Sequence, residues 1–295
     1  MTQHNSKKKV LLFGGTGYIG KHVLRELDER GFEIINATRR IPPKTMTRVG
    51  NVTSIYFDIC NFSVNEDLYN YFLNPDVCIY LAWQDGFNHN SSSHISNLSS
   101  HFNVLKNLAD NGLKDFSVVG SFREYGKSNG KVDQNKIVDP ENLYVLGKLT
   151  LKKALELYFA KKDFVFRWLR PFTVVGDDID SDSIFGKILR WEKEGKSSFP
   201  FTMGLEQYDF IDVRVLARMI IESSIQSNIQ GVIDCGMGRA VSLRSKIEEF
   251  IQENNLSIRP DFGKFPSRTY DSPCIFADTK KIDRILANAQ GGKDE

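Results

Sequence analysis

Apolar residues in the first half of the chain come in short runs broken by polar turns. Residues 10–13 (Val10-Leu11-Leu12-Phe13) form one such run, stopped by a glycine, with the length and ending of a buried strand. Over residues 18–30 the spacing changes. Ile19, Val23, Leu24 and Leu27 recur every three or four positions, and the segment stops at Gly31, a residue that accepts the left-handed turn after a helix. The same rhythm predicts strands at 33–38, 54–57, 77–82, 116–120 and 164–169. It predicts helices at 95–108, where Ile95, Leu98, Phe102, Leu105 and Leu108 draw one buried stripe, and at 143–160. Strands alternating with helices pair in parallel through right-handed crossovers, so the expected fold is α/β with a doubly wound parallel sheet.

The rhythm changes near residue 174. Shorter, aromatic-rich pieces follow, carrying Phe185, Trp191, Phe199, Phe201, Tyr208 and Phe210, with Pro200, Pro260, Pro266 and Pro273 punctuating loops. This reads as a smaller C-terminal lobe partly interleaved with the sheet: residues 7–175 for the first domain, residues 176–290 for the lobe. Residues 88–93 (Asn88-His89-Asn90-Ser91-Ser92-Ser93) read as a polar, mobile loop.

Composition adds boundaries. The 295 residues are 41% hydrophobic and 26% charged, enough for a large core in a soluble protein. A net charge of +2 and one lysine run, Lys7 to Lys9, give no nucleic-acid footprint. No window approaches a membrane span, and the polar start does not resemble a signal peptide, so a cytoplasmic location is expected. Cys60, Cys78, Cys235 and Cys274 lie far apart and read as buried, reduced thiols. His94 and His101 can share a helix face, but without metal-ligand spacing, and no metal is expected.

Gly14-Gly15-Thr16-Gly17-Tyr18-Ile19-Gly20 directly follows the first strand and opens the first helix. In that setting a GxGxxG pattern is a phosphate-binding turn: side chains there would keep a pyrophosphate from the helix N-terminal amides. A dinucleotide fold that prefers NAD places an acidic residue at the end of the second strand. This chain has Thr38, Arg39 and Arg40 instead, which suits the 2′-phosphate of NADP(H). The competing reading leaves both arginines as solvated loop charges. Asp58, closing the third predicted strand, suits the adenine amino group.

Tyr144 and Lys148 stand at i and i+4 at the start of a helix, so their side chains share a face. A cation beside a phenol moves its pKa toward neutrality and makes tyrosine a usable acid and base. Ser121 sits at the end of the 116–120 strand, 23 residues before Tyr144. Its hydroxyl can donate to a substrate carbonyl oxygen as charge develops on it.

Together these motifs resemble the extended short-chain dehydrogenase/reductase family, which acts on nucleotide sugars. The likeness takes in the glycine turn, Asp58, Leu81-Ala82, Ser121 with Tyr125-Gly126, and Tyr144 with Lys148. It continues through residues 170–176 and 208–213 to residues 268–280. The resemblance implies a Rossmann-type domain, a C-terminal substrate lobe and a Ser121, Tyr144, Lys148 triad. It also implies cofactor contacts at Gly14, Thr16, Gly17, Tyr18, Ile19, Gly20, Asp58, Ile59, Leu81, Ala82, Trp83, Lys148, Pro171 and Phe172. Trp83, Gln84, Phe122, Arg123 and Arg268 become substrate-side candidates, and a homodimer through the two helices at 95–108 and 143–160 is implied.

Family dehydratases carry Asp-Glu directly after the active hydroxyl. Here those places hold Phe122 and Arg123, and Glu124, one place on, is expected to point to the opposite face of an extended segment. Net reduction draws on NADPH, which Arg39 and Arg40 favour. The expected reaction is therefore NADPH-dependent reduction of the 4-keto group of a nucleotide-linked deoxysugar, for surface polysaccharide. The alternatives are a nucleotide-sugar 4-epimerase and a non-catalytic NADP sensor.

Overall fold

In the computed structural model, which describes residues 8–160 and 163–291, the first apolar run is strand β1 (Lys9–Phe13) and the segment after it is helix α1 (Gly20–Glu29). In chain order there follow β2 (Glu33–Thr38), β3 (Met46–Val49), β4 (Val52–Tyr56), α2 (Leu68–Tyr71), β5 (Val77–Tyr80), α3 (Ser93–Ser96), α4 (Leu98–Asp110) and β6 (Asp115–Val119). Next come β7 (Asn129–Lys131), α5 (Leu143–Phe159), β8 (Val165–Pro171), β9 (Thr173–Val175), α6 (Ile184–Lys193), β10 (Ser198–Phe201), β11 (Gln207–Tyr208) and β12 (Phe210–Asp212). The chain closes with α7 (Val213–Ile225), β13 (Gly231–Cys235), β14 (Val241–Ser242), α8 (Leu243–Glu253), β15 (Arg259–Phe262), β16 (Cys274–Phe276) and α9 (Lys280–Gly291). The expected domain start at residue 7, and Lys7 itself, lie outside the described residues.

The large sheet runs β13-β8-β6-β5-β1-β2-β4-β3, parallel throughout except for β3, which pairs antiparallel with β4. Both sheet faces are covered, so its strands are apolar at successive positions instead of alternating. Leu11 and Phe13 pack on one face with Leu105, Leu151 and Trp168; Val10 and Leu12 pack on the other with Leu27, Ile220 and Ile282. Strand order reverses between β1 and β5, and the carboxyl ends there open a crevice, the place where such sheets hold ligands.

Three sequence expectations shift. Strand β3 escapes the hydrophobic pattern because all four of its residues are exposed at the sheet edge. The helix expected at 95–108 is two helices, meeting at Asn97. Its buried face is led by His94 and His101, while Ile95 is 40% exposed. Cys78 and Cys235 are buried free thiols, but Cys60 is exposed and Cys274 half-buried.

Past residue 176 the chain both builds a second lobe and returns to the sheet. Strand β13 pairs with β8 at the sheet edge, and α7 and α9 cover one face. The lobe has its own core of Phe185, Ile188, Phe201, Ile247, Phe250 and Ile258. No helix among the described residues is long and apolar enough to cross a membrane.

Candidate active site

The glycine turn is packed too tightly for side chains. Gly14 has φ +82°, and a Cβ there would lie 2.8 Å from the Ala82 amide nitrogen; one on Gly20 would lie 2.0 Å from the Gly14 carbonyl oxygen. The turn thus presses against the end of β5 at the strand-order reversal, leaving backbone facing the crevice, which fits a dinucleotide pyrophosphate. Tyr18 turns its ring toward the second lobe, where a Cβ on Gly176 would meet its hydroxyl at 2.7 Å. At the end of β2, Thr38 is buried and accepts from the Arg40 amide at 3.1 Å. Arg39 and Arg40 project into solvent, and neither forms an ion pair among the described residues. Asp58 follows β4 and caps its own turn, accepting from the Cys60 amide at 3.1 Å.

Ser121 follows β6 and opens a short 3-10 helix, Phe122–Tyr125. Its hydroxyl accepts from the Arg123 amide at 3.2 Å and lies near enough to the Tyr144 phenol to favour its ionised form. Glu124 corrects an expectation. The segment is helical, not extended, so Glu124 turns beneath the strand ends, fully buried. It accepts from the Ser121 amide at 2.7 Å, the Trp168 indole at 2.8 Å and the Arg170 guanidinium at 3.0 Å. Its oxygens are spent on structure.

Tyr144 and Lys148 do share one face of α5, whose N-cap Asn142 accepts from the Val145 amide at 3.0 Å. Lys148 is buried; its ammonium donates to the Val119 carbonyl at 2.7 Å and lies 3.9 Å from the centre of the Trp83 ring. Burial pulls its pKa down to about 7, against the pull of Glu124. The tyrosine departs from the expected shift. Burial pushes the phenol up to about 12, with Ser121 and Arg123 opposing it only in part and Glu124 adding to it.

Sequence reasoning missed the wall behind this pair. Trp83 stacks on His101 (centroids 4.6 Å) and donates from its indole nitrogen to His94 at 3.0 Å; His94 in turn meets the Asn88 carbonyl at 2.8 Å. His101 shares a 2.7 Å hydrogen bond with the Tyr80 hydroxyl, and burial next to Lys148 holds its pKa down at about 3. His89 stacks on Tyr144 itself. The only sequence signal was the seven-residue step from His94 to His101, two turns of one helix face. The expected polar loop is tied down: Ser91 and Ser93 hydroxyls donate to Asp85 at 2.7 and 2.8 Å.

The remaining candidates separate. Gln84 is exposed and accepts from the Asn97 side chain at 3.3 Å. Pro171 and Phe172 are buried, with Phe172 stacked on Phe122 at 5.4 Å. A small cleft opens at the start of α5, lined by Phe122, Arg123, Asn142 and Val145 and, from the lobe, Tyr208 and Tyr270. Arg123 pairs there with Asp271 at 3.3 Å. Arg268 is exposed at the lobe rim, over the Tyr270 ring. Ile59, Leu81 and Thr16 lie half-buried around the crevice strands.

Residues 10–228 match the model of the NAD dependent epimerase/dehydratase family. The chain belongs to that family. A relative in Aggregatibacter actinomycetemcomitans, dTDP-6-deoxy-L-talose 4-dehydrogenase (NAD(+)), is 35% identical over 268 residues, covering 90% of this chain and 98% of the relative. The dTDP-4-dehydro-6-deoxyglucose reductase of Escherichia coli is 24% identical, covering 82% and 80%. Among solved structures, UDP-N-acetylglucosamine 4-epimerase from Methanobrevibacter ruminantium superposes with TM-score 0.79 at 20% identity, over 95% of this chain and 92% of that one. UDP-glucuronic acid 4-epimerase from Bacillus cereus, bound to UDP-glucuronic acid and NAD, gives 0.76, also at 20%. The epimerase/dehydratase family comprises nucleotide-sugar enzymes with a nicotinamide cofactor, and the Rossmann-type architecture is common to these structures.

Proposed function

We propose that the protein reduces the 4-keto group of a nucleotide-diphosphate-linked 6-deoxyhexose, using NADPH, as a step toward a surface polysaccharide. One observation carries the reading: Tyr144 and Lys148 share one face of α5, and Ser121 at the carboxyl end of β6 stands close enough to the half-buried Tyr144 phenol to act on it. That is the arrangement a ketone reduction needs. Two of three matching curated relatives are named for redox chemistry at C4 of a dTDP-linked 6-deoxyhexose, which favours reduction, while the third is named a UDP-glucose epimerase.

The dinucleotide supplies hydride chemistry when bound. The residues do the rest. Tyr144 gives its proton to the C4 oxygen, becoming phenolate, and recovers it from solvent. Ser121 donates to the same oxygen and stabilises its developing charge. Lys148 would hold the nicotinamide ribose and offset the phenolate. The crevice turn, Asp58, Ile59, Leu81, Ala82, Trp83, Pro171 and Phe172 form the cofactor side. Gln84, Phe122, Arg123 and Arg268 form the sugar-nucleotide side, between residues 7–175 and the lobe of 176–290. The relative's name specifies NAD(+), but the exposed Arg39 and Arg40 at the end of β2, in no ion pair among the described residues, support NADP(H) here. A cytoplasmic homodimer through α4 and α5, where Leu157 is 65% exposed, belongs to the same reading.

The test is a panel of 4-keto-6-deoxy nucleotide sugars, each made in place by a dehydratase, followed by cofactor absorbance with NADPH and NADH in parallel. Consumption of NADPH with one sugar supports the reductase and identifies base and sugar together. Conversion without net cofactor loss would make it a 4-epimerase.

A further inference from the structure

Tyr144 is the second residue of α5, so its amide belongs to the set that a helix leaves without an internal partner. The carbonyl of His89 takes that amide at 2.9 Å. The imidazole of the same residue lies against the phenol ring, centroids 5.5 Å apart and 26° from parallel. His94 also meets the ring, edge-on, at 5.3 Å. His89 therefore fixes the tyrosine twice, at its backbone and at its ring.

The outer edge of that imidazole faces the second lobe. Nδ1 of His89 and the Tyr270 hydroxyl share a hydrogen bond of 3.3 Å. Tyr270 lines the cleft, with the Arg268 guanidinium over its ring at 5.9 Å. His89 is buried, and burial together with Arg123 and Arg268 holds its pKa down at about 3, so the imidazole stays neutral at every working pH and acts by shape and hydrogen bonding. The ring is a continuous mechanical link from the rim of the cleft to the phenol.

We propose that His89 is a positioning residue that transmits occupation of the cleft rim by the nucleoside diphosphate half of the substrate, through Arg268 and Tyr270, to the placement of the Tyr144 phenol. The inference rests on the reading of Tyr144 as the acid. Nucleotide binding far from the ketone is then used at the reacting centre, where small misplacements of a proton donor are costly.

Two measurements test it. In the reductase assay, H89F keeps a flat ring on Tyr144 but loses the bond to Tyr270, and Y270F loses it from the other side. Each is expected to lower kcat about tenfold, with KM and dinucleotide affinity within about twofold of wild type, and the double variant no worse than either. Full kcat in both single variants, or losses that multiply in the double, would overturn the proposal. Should H89F not fold, Y270F alone carries the kinetic test.

The second measurement needs no turnover. Ring-labelled tyrosine NMR, with the Tyr144 signal assigned by Y144F, is followed while dTDP, UDP, GDP and CDP are each added. The expected result is a Tyr144 shift with the one that binds, abolished in Y270F although binding persists. A Tyr144 signal blind to the bound nucleotide, or binding of none of the four, overturns the proposal. An enzyme inactive on every sugar that still shows the Tyr144 shift loses the proposed function alone.

Discussion

The ammonium of Lys148 lies 3.9 Å from the centre of the Trp83 indole and 2.7 Å from the Val119 carbonyl, and these are its compensation for near-complete burial. One neutral acceptor and one aromatic face do not replace a hydration shell, so the charged form is disfavoured. The folded pKa falls to about 7 from the ordinary 10.5. Between those two values the unfolded chain holds a proton that the folded chain does not, and stability rises with pH across that window. Below about pH 7 the cost is complete; above about 10.5 it vanishes.

Replacing Lys148 by Met removes that cost. The variant should melt a few degrees above wild type near pH 6.5, and the gap should close steadily as the buffer approaches about pH 10. Calorimetry of both proteins over this range checks it. A constant gap would mean that the amine does not titrate in the window. Activity should move the other way, falling at least about 100-fold, since the ribose and the phenolate lose their cation.

Tyr144→Phe removes one oxygen from the same wall. The ring contacts with His89, His94 and Trp83 survive, so the fold and the dinucleotide site should be untouched. Turnover should drop by about 10²- to 10⁴-fold, the usual worth of a positioned proton donor. Dinucleotide titration and steady-state kinetics on one preparation separate the two effects. Undiminished turnover would remove the phenol from the mechanism.

Cofactor choice rests on two exposed arginines. A guanidinium paired to a phosphate contributes about 1.5–3 kcal/mol, so R39A/R40A should weaken NADPH binding at least about tenfold and leave NADH unchanged. Equal losses for both cofactors would show that the arginines only support the turn.

How much of this was legible beforehand follows from where each signal resides. The glycine turn, Ser121, Tyr144 and Lys148 were readable because backbone crowding and side-chain chemistry leave few residues possible at those places. Strand β3 was not readable, since an exposed edge strand has no apolar alternation to show. Nor was the histidine wall. His94 and His101 occupy the buried face of α3 and α4 only because Trp83 and Tyr80, distant in sequence, supply hydrogen-bond partners. The upward shift of the tyrosine was unreadable for a similar reason: i to i+4 spacing puts two side chains on one face but does not say how deeply the phenol is buried.

Glu124 shows the same limit, and it leads to a stability test. Read as part of an extended segment, it was expected to point away; in the 3-10 turn it points inward and gathers Ser121, Trp168 and Arg170. The Arg170–Glu124 pair is buried on both sides, at 5% and 0% side-chain exposure. Removing one partner of such a pair leaves an uncompensated charge, which costs about 3–5 kcal/mol. Glu124→Gln keeps an acceptor for the Ser121 amide yet strands the Arg170 guanidinium. The variant should lose about 3 kcal/mol in denaturant unfolding. Its kcat per folded molecule should fall by less than about tenfold, because the carboxylate touches no reacting atom and acts only by holding the Ser121 turn. Loss of turnover with stability intact would instead place Glu124 in the chemistry, and the dehydratase reading that its position argues against would have to be reopened.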